Sequence, residues 1–149
     1  LDLTSSETTA TSGFLGETSI QRQNIENVTF LSNTDTVPAT GWWDVSARRD
    51  NSIKAWATQT TEQATKGVYT VNIASDDEIF ANQNSSYLFA YIGSGENCTA
   101  VETITSLETL NENSVTNMSS MFKATGNRKM TTLNLGEFNK WSNRYEQYV

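Results

Sequence analysis

Apolar residues in this chain fall into short clusters separated by polar stretches, and the spacing within the clusters predicts strands. The clearest period lies in Val68–Ala74, where Tyr69, Val71 and Ile73 alternate with polar or small partners. A period of two puts alternate side chains on one face, so the segment reads as a half-buried strand. Val28-Thr29-Phe30-Leu31 reads as an earlier strand, and Gly13 and Gly16 bracket the apolar pair Phe14-Leu15 before it. Ser19 is placed to cap a short turn. Pro38 and Gly41 punctuate a loop ahead of Trp42-Trp43-Asp44-Val45-Ser46. Arg48-Arg49-Asp50-Asn51 then turns the chain into Ser52–Thr58, Gly67 opens Val68–Ala74, and Ser75–Glu78 turns it into Ile79-Phe80-Ala81-Asn82. Residues 13–83 are therefore expected to form a β-rich meander of short antiparallel strands.

From residue 84 the pattern changes. Ser85 or Ser86 is predicted to cap a short helical turn over Tyr87–Ile92. After the Gly93–Asn97 loop the sequence repeats itself 26 residues apart: Ile104-Thr105-Ser106-Leu107 returns as Met130-Thr131-Thr132-Leu133, Asn113 as Asn139, Asn117 as Asn143, and Phe122 as Tyr148. Self-similarity at such a period marks a stacked solenoid, in which each coil buries its neighbour's apolar edge. Val115, Met118 and Met121 become Trp141, Arg144 and Gln147 in the second copy, the polar change that a capping coil requires. The expected fold class is α+β, mostly β: a short antiparallel strand meander followed by a truncated leucine-rich-repeat-like solenoid segment of about two coils. The expected divisions are an N-terminal extension at 1–12, the β-rich portion at 13–83, and the repeat segment at 84–149 packed on it.

Composition supports a folded chain with many turns. Of 149 residues, 53 are Thr, Ser or Asn, yet four Trp, five Tyr and six Phe supply a core that disordered sequences lack. A net charge of −7, with no basic run longer than Arg48-Arg49, leaves no face to neutralise phosphates, so a nucleic-acid partner is not expected. No apolar stretch approaches the ~20 residues of a spanning helix. The start at Leu1 reads as a processed product or an excised piece. Cys98 stands alone and there is no His, which excludes an internal disulfide and a Cys-based zinc site and removes the usual base for a thiol nucleophile. Cys98 therefore reads as a small core residue. Four Asn-x-Ser/Thr sites, at Asn27, Asn84, Asn97 and Asn117, match the about four that composition alone produces and carry no argument for glycosylation.

The block Val115-Thr116-Asn117-Met118-Ser119-Ser120-Met121-Phe122, followed by Met130–Asn139, resembles the BspA-like leucine-rich repeats of bacterial cell-surface proteins. Asn24–Leu31, the Trp42–Trp56 block and Glu78–Ile92 resemble the segment that leads into such repeats, so the resemblance covers about residues 13–139. Lys123-Ala124-Thr125 replaces the small residues usual after the Met-Phe pair, and two coils stand where the family carries many. The resemblance implies a secreted bacterial surface protein used in attachment or surface assembly, with no catalytic set; no cofactor and no metal are expected from the residues.

Two groups of residues are candidates for contact with partners. Trp42, Trp43, Trp56 and Tyr69 are the candidate face for a glycan or a host protein, since aromatic rings stack on sugars, while core packing is the competing use. The polar 1–12 segment with Leu1, Leu3, Phe14 and Leu15 is the candidate assembly segment, by strand addition to another copy or to a second surface protein. Docking on the chain's own domain is its competing use. Asp76-Asp77-Glu78, with Asp44 and Asp50 beside the aromatic block, are the carboxylates a hydrolase would draw on, and Asp76-Asp77-Glu78 offers the hard oxygens that calcium takes, without EF-hand spacing. Adjacent acids in a turn are ordinarily solvated, and Asp44 in Trp-Asp-Val-Ser reads as a turn former. The expected role is structural, as the subunit or tip of a surface filament or as an adhesive module, with glycan or host-protein binding second and carbohydrate-active catalysis third.

Overall fold

Ile25–Leu31 forms strand β1, which pairs on both sides and so lies inside a five-stranded sheet. Trp43–Asp44 (β2), Lys54–Thr58 (β3), Tyr69–Ala74 (β4) and Ile104–Thr105 (β6) complete the order β2-β3-β4-β1-β6, while Ile79–Phe80 (β5) pairs with Leu110–Asn111 (β7). The structure is a computed structural model that describes Leu1 and residues 7–129. It is α+β and mainly β, with a single short α-helix among the described residues.

Pairing direction corrects the expected meander. Only β2, β3 and β4 are antiparallel neighbours; β1 runs parallel to β4, with Val28 beside Val71, and parallel to β6, with Val28 beside Ile104. Alternation reports which side chains share a face, and says nothing of which strand lies alongside or in which direction. Strands laid parallel need long connections, here 32–68 from β1 to β4 and 75–103 from β4 across β1 to β6. Val28, Phe30, Ala55, Val71 and Ile73 point into one core that runs on through Leu88, Phe89, Ile92, Leu110, Met121 and Phe122.

Thr61–Lys66 forms the helix α1, which the apolar pattern did not predict. Its signal was chemical. The Thr60 hydroxyl accepts from the Gln63 N–H at 3.1 Å, the Gln63 side chain accepts from the Thr60 N–H at 2.9 Å, and Gly67 ends the helix at a φ of 73°.

Residues 84–126 differ most from expectation. Tyr87–Ile92 is a series of turns and not a helix, because Tyr87 and Tyr91 take left-handed φ values of 62° and 64°. The same series recurs 33 residues later, where Ser120 and Ala124 have φ values of 55° and 52°, and Gly93 and Gly126 close the two series. The two series stack in parallel: Ser85, Tyr87, Phe89 and Tyr91 N–H groups donate to the carbonyls of Asn117, Ser119, Met121 and Lys123. Phe89 and Phe122 hold the same place in each and stack at 5.6 Å, while Phe30 meets Phe89 edge-on at 6.2 Å. No leucine-rich-repeat solenoid stands among the described residues, and the second copy of the 26-residue repeat, Met130–Tyr148, lies outside them.

The N-terminal segment docks on its own domain. Leu1, Phe14 and Leu15 belong to the core at 3%, 1% and 1% exposure, and the Leu1 nitrogen donates to the Phe80 carbonyl at 3.0 Å. The carbonyls of Ala10 and Ser12 accept from the N–H groups of Gln23 and Arg22. Of the candidate assembly residues, Leu3 lies outside the described residues, and the other three pack inward instead of standing free for a second copy.

Candidate functional site

The four candidate aromatics do not share a face. Trp43 packs against the core from β2 and its Nε1 donates to the Leu15 carbonyl at 3.0 Å, and Tyr69 packs against the same core from β4. Ala55 points into that core, so strand alternation sends Lys54 and Trp56 to the opposite side of β3. There Trp56 is only 6% exposed. Trp42 is half-buried with the Lys54 ammonium 4.5 Å from its ring centre. The platform therefore reduces to one partly exposed indole covered by a lysine.

The acidic candidates are engaged in hydrogen bonds, Asp44 within its own turn and Asp76 and Glu78 with residues distant in sequence. Asp44 Oδ1 accepts from the Ser46 N–H at 2.9 Å and from the Ser46 hydroxyl, and Oδ2 accepts from the Asn51 N–H at 3.3 Å, the turn-forming use predicted for it. Partial burial disfavours its charge, but the Ser46 and Asn51 hydrogen bonds and nearby Arg49 outweigh that and hold it below the usual carboxylate range. Asp76 accepts from the N–H and hydroxyl of Thr34, both at 2.9 Å, and Glu78 accepts from the Asn111 amide at 2.6 Å. Their carboxylates thus face different partners.

A cleft of about 650 Å³ opens between the 94–99 loop and residues 126–129, lined by Glu96, Cys98, Thr99, Asn127, Arg128 and Lys129. Cys98 is 4% exposed and its Sγ donates to the Gln23 carbonyl at 3.2 Å. Burial, aided by the charge of Glu26, raises the thiol to about 11, which keeps it protonated at neutral pH and a poor nucleophile. Glu26 ties this wall together, accepting from the Thr99 and Ala100 N–H groups at 3.0 and 3.2 Å and from the Gln63 amide at 2.9 Å. Gly95 is required here, since a Cβ would stand 2.5 Å from the Gln23 carbonyl oxygen.

Two features escaped sequence reasoning. One is the buried pair of Glu7 and Arg22, whose polar residues carry no pattern of burial in the sequence. The other is the surface of the stacked turns, where Lys123 lies over the rings of both Tyr87 and Tyr91. A 33-residue comparison of Asn84–Gly93 with Asn117–Gly126 aligns these residues and was the signal available for it.

Comparison with protein-family models, with curated proteins and with solved structures finds no match to this chain.

Proposed function

We propose that this chain is a non-catalytic module of a secreted bacterial surface protein, adhesive or structural in role, whose residues 84–149 belong to a leucine-rich-type repeat segment. The observation that carries the reading is the setting of Val115–Phe122. This block resembles a surface-protein repeat unit, and its turn series lies in register on Asn84–Ile92 through parallel backbone hydrogen bonds. Such stacking adds coils without altering those already formed, which is the architectural use of a repeat. Between the two forms of the proposal, the inward packing of Leu1, Phe14 and Leu15 favours an adhesive module over a filament subunit joined through residues 1–12. The carboxylates of Asp44, Asp76 and Glu78 are committed to hydrogen bonds with Ser46, Thr34 and Asn111, which also favours a binding role over hydrolysis.

The test is immunogold labelling of intact and lysed producing cells with antibody raised against the folded chain. Label on intact cells is the expected result. Label only after lysis would overturn the reading.

A further inference from the structure

The turns that carry Tyr87 and Tyr91 are built more rigidly than a surface loop requires. Arg22, fully buried beneath them, donates from Nη1 to the carbonyls of Tyr87, Leu88 and Ala90 at 2.8, 3.1 and 3.1 Å. Tyr87 and Tyr91 also donate their N–H groups to the next coil, at Ser119 and Lys123. Both tyrosines take left-handed φ, a conformation that costs any residue with a Cβ and is an outlier for a bulky one. The coil does not need aromatics there, since Ser120 and Ala124 occupy the same two places 33 residues on with the same φ. The core does not need them either, because both rings are only half-buried and lie outside it.

Lys123 completes the arrangement. Its ammonium lies 5.9 Å from the Tyr87 ring centre and 5.8 Å from that of Tyr91, bridging the two coils. It makes no ion pair, and neither phenol hydroxyl makes a hydrogen bond, among the described residues. Asn84–Gly93 and Asn117–Gly126 contain no acidic residue, and Lys123 is their one charge. The exposed parts of two half-buried rings offer C–H contact to a pyranose, two hydroxyls stand ready for its oxygens, and the ammonium over the rings is available to a carboxylate.

We propose that Tyr87, Tyr91 and Lys123 form a binding site for a carboxylate-bearing sugar, of the sialic or uronic acid class, at the end of a surface glycan. The fixed backbone means that little ordering accompanies binding. The inference deepens the adhesive form of the function proposed above and rests on it. The two fail separately: surface label without sugar binding removes this site alone, and sugar binding by a chain found only inside cells removes the surface role alone.

The experiment is titration of the whole chain with sialyllactose, a glucuronic acid oligosaccharide and neutral lactose, followed by amide chemical shifts. One acidic sugar is expected to bind at least about tenfold more tightly than lactose and to move the resonances of 87–91 and 119–124. Lys123→Gln should remove that preference. Tyr87→Asn and Tyr91→Asn should abolish binding while leaving the melting temperature unchanged or higher, since Asn adopts left-handed φ more readily than Tyr. That pairing separates lost binding from lost folding. No binding of either acidic sugar at millimolar concentration, or binding indifferent to all three substitutions, would overturn the proposal. So would tighter binding of a polyglutamate peptide than of either sugar, which would give this face to an acidic protein.

Discussion

The severest single change in this domain should be Arg22→Met. Arg22 is fully buried, and its guanidinium donates to four backbone carbonyls and to Glu7: Nε to Gly13 at 2.9 Å, Nη1 to Tyr87, Leu88 and Ala90, and Nη2 to Glu7 Oε1 at 3.2 Å. It also lies 5.3 Å from the Phe14 ring centre. Burial pulls the guanidinium below its ordinary value and the charge and hydrogen bond of Glu7 pull it back, so the ion pair offsets part of its own desolvation. Methionine fills similar space but takes the cation from a buried carboxylate that keeps the Leu15 N–H, and takes one donor from each of four backbone carbonyls. Breaking a buried pair in this way costs about 3–5 kcal/mol, a large share of the about 5–15 kcal/mol that stabilises a typical domain. For a chain of this length that corresponds to a fall of roughly 10–15 °C in melting temperature. Urea unfolding followed by tryptophan fluorescence should show an earlier midpoint at unchanged slope. Arg22→Met should also cost at least about 1 kcal/mol less in a Glu7→Gln background, since one orphaned charge is then gone. A loss under about 1 kcal/mol for Arg22→Met, or strict additivity with Glu7→Gln, would refute the reasoning and show that water or relaxation replaces the network.

Other outcomes follow from the same packing. Removing residues 1–7 deletes the buried Leu1 side chain and the Glu7 carboxylate, and should cost about 3–5 kcal/mol in thermal unfolding; an unchanged melting temperature would return this segment to the role of a free assembly strand. Cys98 should resist alkylation at pH 8 in the folded chain and react at once in denaturant. Because its folded pKa of about 11 lies above that of an unfolded thiol, the unfolded chain loses this proton first, so stability falls as pH rises between the two values. Cys98→Ala should flatten that part of the pH–stability curve. Gly95→Ala forces a Cβ to 2.5 Å from the Gln23 carbonyl oxygen and should destabilise by about 1–3 kcal/mol by calorimetry.

The legible parts of the fold were those written in side-chain alternation. Val71 and Ile73 face the core from β4 as their spacing requires, and β1, β3 and β5 formed where apolar runs met turn residues. The direction of pairing was not legible, because Val28 beside Val71 and Val28 beside Ile104 depend on how crossovers of 37 and 29 residues travel. Helix α1 was legible in principle through Thr60, Gln63 and Gly67, but its six residues carry no apolar stripe to prompt the search. The candidate aromatics misled for a related reason. Trp42 and Trp43 are neighbours in sequence, but Trp43 enters β2 and packs on the core while Trp42 precedes the strand and lies under the Lys54 ammonium.

The stacked turns carry a face that the apolar pattern of the sequence does not reveal. A helix was expected over Tyr87–Ile92 because a serine precedes an apolar run, and in a helix Tyr87 and Tyr91 would be ordinary i, i+4 neighbours. Left-handed φ at both residues breaks the helix into turns, and nothing in the identity of tyrosine announces that choice. The announcement comes only from the second copy. Gly126 matches Gly93, Phe122 matches Phe89, and Asn117 makes the same bond to the N–H two residues on that Asn84 makes, at 2.9 and 3.0 Å. Once the two copies are aligned, conserved geometry separates what the coil demands from what it merely tolerates. The coil demands the Asn, the Phe and the Gly; it tolerates Ser and Ala where it carries two tyrosines, and their excess over structural need is what directs attention to that face.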